Sequence, residues 1–138
     1  MEQLAESMTG LKPKTHAQLF VSGVLTWAGF FVVVLPDYYQ QYSTLLVAIG
    51  TALLVPPTFW LGWRIIGRQK PERALGMAIA LSFYFTVPFA ALDTLWCGVH
   101  LGHGHRYLVQ YWYLTVFYVI PWALYVPMGL KRRSAKSA

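Results

Sequence analysis

Long apolar runs alternating with short charged breaks constrain this chain more than any other feature. Four stretches, 19–35, 43–63, 74–97 and 107–130, are dominated by apolar residues, and the lysines and arginines fall at their ends or between them. A helix rising about 1.5 Å per residue needs about 20 apolar residues to cross a hydrocarbon layer ~30 Å thick. Lipid offers backbone groups no hydrogen-bond partner, so such runs must close their own bonds as helices. The expected fold is an all-α polytopic membrane protein, with four transmembrane helices in a compact bundle. Composition agrees: 12% of the residues are charged and 57% hydrophobic, whereas soluble domains carry about a quarter charged residues.

Charge placement predicts orientation. Lys12, Lys14, Arg64, Arg68, Lys70, Arg73, Lys131, Arg132, Arg133 and Lys136 fall on one side of a four-span chain, and Arg106 alone on the other. Positive loops stay cytoplasmic, so both termini are expected inside, with a bacterial inner (plasma) membrane as the expected location. Residues 1–18 read as a polar cytoplasmic segment without the features of a signal peptide, and 131–138 as a basic cytoplasmic tail. The net charge of +6 does not point to nucleic acid, because the basic residues form no stripe interleaved with stacking aromatics. Cys97 is the single cysteine, which rules out an internal disulfide.

Each span carries a polar stripe at helical spacing: Ser22, Thr26 and Gly29 leading to Asp37; Thr44, Thr51 and Thr58; Ser82, Thr86 and Asp93; and Tyr107, Tyr111, Thr115, Tyr118, Trp122 and Tyr125. Small and hydroxyl residues mark helix–helix seams in membranes. Tyrosine and tryptophan are larger and have polar tips that need partners, so the fourth stripe is read as the wall of a semi-polar cavity. Pro56, Pro57, Pro88 and Pro121 lie inside spans, and each frees the carbonyl four residues back.

The chemistry is concentrated in 92–113. Asp93 lies about one turn inside the end of span three, where a carboxylate must face protein and find a partner. Arg106, a histidine or a tyrosine hydroxyl of span four are the candidates. Asp93 reads either as a structural clamp between spans three and four or as a proton or cation site. His100, His103 and His105 sit in a glycine-rich loop, and imidazole is a common metal ligand. With Asp93 they offer a set for a divalent metal. No signature of an activated nucleophile or phosphate loop is present.

These features lead to an outward-facing semi-polar pocket that binds or transports a small amphipathic or lipid-like molecule. Asp93, Tyr107, Tyr111, Thr115, Tyr118, Trp122, Trp96 and Asp37 are its expected residues. This reading leans away from an enzyme. Two alternatives stand beside it: a metal-dependent intramembrane enzyme or redox protein using the histidines, and a subunit of a larger membrane complex. The expected partners are membrane lipids, a small amphipathic ligand, and a second copy or a membrane-complex partner, with no nucleic acid.

Overall fold

A computed structural model describes residues 10–33 and 41–135. Four of its helices are long and apolar enough to cross a membrane. They are α1 (Pro13–Val33), α2 (Thr44–Gly67), α3 (Pro71–Asp93) and α5 (Trp112–Ser134). A π-helical turn, Thr94–His100, prolongs α3, and a 3₁₀ turn, Gly104–Arg106, leads into the short helix α4 (Tyr107–Gln110). The positive φ angles of Gly102 (74°) and Gly104 (55°) turn the chain between them, a conformation glycine adopts without steric cost.

Local chemistry sets the helix starts. Pro71 occupies the first turn of α3 with Glu72 beside it, which suits a position whose N–H would go unpaired and whose dipole favours an acid. Ser43 caps α2, its Oγ accepting from the Leu46 N–H at 3.4 Å. The interior prolines do not stop α2, α3 or α5. Two boundaries differ from those expected. The third span runs on to His100, so the histidine loop is shorter than predicted. The fourth span is broken at Tyr111, whose backbone (φ −107°, ψ 55°) separates α4 from α5. Thr115 spans this break, donating its Oγ1 hydrogen to the Leu108 carbonyl at 2.7 Å.

The most extensive helix contact is α3 on α5. Gly129 presses against Ala78 and the backbone of Ala74 and Leu75. Further along, Ser82 Oγ donates to the Pro121 carbonyl and Thr86 Oγ1 to the Tyr118 carbonyl, both at 3.1 Å. The two helices are therefore antiparallel. Helix α1 lies parallel to α3: His16 meets Tyr84, Gly23 faces the Tyr84 carbonyl and Trp27 reaches Asp93. That carbonyl is the one Pro88 leaves without its helical donor, and only a residue without Cβ admits it so close to α1. Helix α2 lies parallel to α5, with Gly62 under the Tyr125 ring and the Tyr125 hydroxyl donating to the Thr58 carbonyl at 3.1 Å.

Direction therefore alternates along the chain. One pole gathers the end of α1, the start of α2, the end of α3 and the start of α5. Arg64, Arg68, Lys70, Arg73 and Lys131 to Arg133 belong to the opposite pole. Leu53 (69% exposed), Val99 (70%) and Val109 (81%) project outward with many other large apolar side chains, a surface that water would not tolerate over such an extent. It belongs to a membrane protein. The Ser82 rung is expected to contribute about 0.6 kcal/mol, with ~1.7 as a ceiling for interhelical hydrogen bonds in membranes. Ser82→Ala tests this by denaturant titration in mixed micelles, where a loss well above that ceiling would show a larger role.

Candidate functional site

Asp93 closes α3 and is 4% exposed. Its Oδ1 accepts the indole Nε1–H of Trp27 from α1 at 2.8 Å, and its Oδ2 accepts the hydroxyl of Tyr118 from α5 at 2.7 Å. The carboxylate thus ties together three helices. Of the partners expected for it, the tyrosine hydroxyl of span four is the one found. Both donors are neutral, and among the described residues no cationic side chain pairs with Asp93.

Asp93 also forms part of the wall of a cavity of about 610 Å³. Helix α1 contributes Trp27, Gly29, Phe30 and Phe31; α2 contributes Val47, Gly50, Thr51 and Leu54; Phe89 belongs to α3; Tyr113, Leu114, Phe117 and Tyr118 follow Tyr111. The cavity exists because α1 leans on α3 and α2 leans on α5, with no substantial contact between α1 and α2. A Cβ added at Gly29 or Gly50 would meet nothing within 4 Å. The hydroxyls in the wall are already used: Thr26 donates to the Ser22 carbonyl at 2.7 Å and Thr51 to the Val47 carbonyl at 2.8 Å. Among the described residues no lysine, arginine or histidine lines the space. A largely apolar chamber with a placed carboxylate suits a ligand that is mostly apolar with one polar group.

The fourth stripe spreads over several neighbours instead of facing one space. Tyr118 bonds Asp93, the Trp122 Nε1–H donates to Thr86 Oγ1 at 3.0 Å, and Tyr125 bonds α2. The polar tips of these rings knit the helices together. Tyr107 is buried and its hydroxyl lies 2.7 Å from Thr94 Oγ1. Tyr111 is buried at the helix break, and Thr115 serves the same break. Of the expected pocket residues, Asp93 and Tyr118 line the cavity, while Tyr107, Tyr111, Thr115, Trp122 and Trp96 are not among its walls. Asp37 lies outside the described residues.

The histidines occupy three different settings. His100 stacks on Trp96 (centroids 4.4 Å apart), His103 meets Tyr111 edge-on with its Nε2 3.4 Å from the hydroxyl, and His105 is exposed in the 3₁₀ turn. Among the described residues no three His, Cys, Asp or Glu side chains are grouped so as to hold a metal ion. A ladder of rings links the chamber to the pole: Trp27 on Phe31, Phe31 edge-on to Trp96, and Trp96 on His100, with centroid distances of 5.0, 4.8 and 4.4 Å.

Trp27 bonds Asp93 and lines the cavity, yet it is not among the residues expected from sequence. Its signal was available, since it is the sole aromatic of 19–35 with a polar tip, and a buried indole N–H needs an acceptor. No family model, curated protein or solved structure matches the chain.

Proposed function

We propose that this chain is a four-helix bundle of the bacterial inner membrane, with both termini in the cytoplasm. In this reading it binds or transports a small amphipathic or lipid-like molecule in the chamber beside Asp93. The observation that carries it is the position of that carboxylate, buried among three helices and set into the wall of an otherwise apolar cavity of about 610 Å³. Ligand chambers are typically about 300–1,000 Å³, mostly apolar, with few polar groups. The orientation rests on the cationic pole, which the positive-inside rule assigns to the cytoplasm. The chamber then lies in the outer half of the membrane.

Asp93→Asn is the direct test. Asparagine keeps an acceptor for the Trp27 N–H and can donate to the Tyr118 oxygen, so the helix contacts survive while the charge is lost. The variant is expected to accumulate in membranes as the parent does, and to show a weaker saturable thermal stabilisation by N-phenyl-1-naphthylamine, an apolar probe whose one N–H bonds a carboxylate more strongly than an amide. Loss of membrane accumulation would instead make Asp93 a structural clamp alone.

A further inference from the structure

We propose that the molecule taken by the chamber is a lipophilic organic cation, with its charge seated against Asp93 and its apolar body among Trp27, Phe30, Phe117 and Tyr118. This rests on the binding reading above and names the class of ligand.

The argument begins with charge. A carboxylate taken out of water is costly unless an opposite charge compensates it. Trp27 and Tyr118 supply dipoles to Asp93, one to each oxygen, but no positive charge. Among the described residues the walls of the cavity hold no cationic side chain, so a cation that enters meets a carboxylate with no charge partner of its own. Those walls suit a cation in a second way. Aromatic faces attract a cation held within about 6 Å of the ring, and the attraction grows when both are desolvated. The chamber is rich in such rings, contributed by α1, α3 and α5.

The hydrogen-bonding state of Asp93 refines the class. Each of its oxygens already accepts a short hydrogen bond. A cation that needs no hydrogen bond of its own, such as a quaternary ammonium or phosphonium, pairs with this carboxylate by charge and ring contact alone. A zwitterionic phospholipid headgroup fits less well. Its phosphate would accompany the ammonium into a chamber where Asp93 would repel it, with no basic residue among the described walls to receive it.

Tetraphenylphosphonium and its anionic isostere tetraphenylborate have nearly the same shape and opposite charge, so together they separate charge from apolar fit. The full chain, purified in maltoside detergent, is titrated with each probe while tryptophan fluorescence is followed, since Trp27 lies in the wall. The phosphonium is expected to bind saturably and the borate not at all. Asp93→Asn is expected to weaken phosphonium binding about thirtyfold or more, the scale on which losing one partner of a buried charge pair is felt. Gly50→Leu, placed where added atoms meet open space, is expected to block the probe while leaving Asp93 and the helical circular dichroism unchanged. A short-chain phosphocholine lipid is expected not to displace the phosphonium, and displacement by it would move the assignment to a lipid headgroup and overturn the proposal. Equal binding of both ions, untouched by Asp93→Asn but blocked by Gly50→Leu, would overturn the cation class and leave the chamber as an apolar binding site. Binding of neither ion, or binding of the phosphonium indifferent to both substitutions, would overturn the proposal, and failure of N-phenyl-1-naphthylamine as well would overturn the binding reading beneath it.

Discussion

Phenylalanine at both Trp27 and Tyr118 is expected to destabilise the protein by about 3 kcal/mol or more, since each hydrogen bond to a charged group is worth about 1.5–3 kcal/mol. The double substitution keeps the Tyr118 ring, replaces the Trp27 indole by a smaller phenyl and removes the two donors that reach Asp93. Each single variant leaves one oxygen served and should cost about half as much. Adding Asp93→Leu to the double variant removes the stranded carboxylate and is expected to recover most of the loss, because replacing buried charge with apolar volume is often neutral or better. Denaturant titration in mixed micelles follows the parent and all four variants. A double variant as stable as the parent would show that the three-helix junction at Asp93 does not hold the fold together.

Gly129→Val is expected to cost about 3 kcal/mol or more, at or beyond the upper end for overpacking. A Cβ there would sit 2.7 Å from the Ala78 Cβ, 3.0 Å from the Leu75 Cα and 3.1 Å from the Ala74 carbonyl. Backbone atoms of α3 cannot swing aside as a side-chain tip can, so α5 would have to move away along its main seam. Gly29→Val is the matched control. It changes another helical glycine by the same atoms, but a Cβ at Gly29 meets nothing within 4 Å, so no steric loss is expected. Equal destabilisation in the same micelle titration would refute the close α3–α5 approach.

The four long helices were legible because each apolar run is far longer than any soluble core helix needs. Their ends were less so. Charge at 64–73 read as a linker, yet α2 continues to Gly67, and the Arg64 guanidinium lies over the Trp60 ring at 5.3 Å. An arginine at a helix end can stay helical while its charge finds a ring or water, so polarity marks the end of the apolar run and not of the helix. The break at Tyr111 left no trace in sequence, since neither proline nor glycine stands there and the tyrosine stripe keeps its spacing. Full burial of that side chain is a tertiary effect that periodicity does not contain. Asp93 and its need for a partner were readable because a buried acid must have one, but sequence left Arg106, a histidine and a tyrosine of span four equally open, and Tyr118 is the one of these that bonds it. Most of the chamber was not. Phe30, Phe31 and Leu54 look the same whether they face lipid, a neighbouring helix or a void. Thr26, Gly29 and Thr51 belonged to the polar stripes and do line the space, as does Gly50 beside them, but spacing alone does not separate a cavity wall from a packing seam.

Helices α1 and α2 are neighbours in sequence, yet each leans on a later helix and not on the other. During synthesis the chain therefore delivers two spans that share no substantial interface among the described residues. They must persist singly in lipid until α3 and α5 arrive and supply their docking surfaces, as independently stable helices do before they associate. Assembly then runs against the order of translation: the third and last spans make the foundation, and the first two are mounted on it. The chamber takes shape only at that final step, so a chain halted after α2 would have made the α1 and α2 walls and would lack those of α3 and α5.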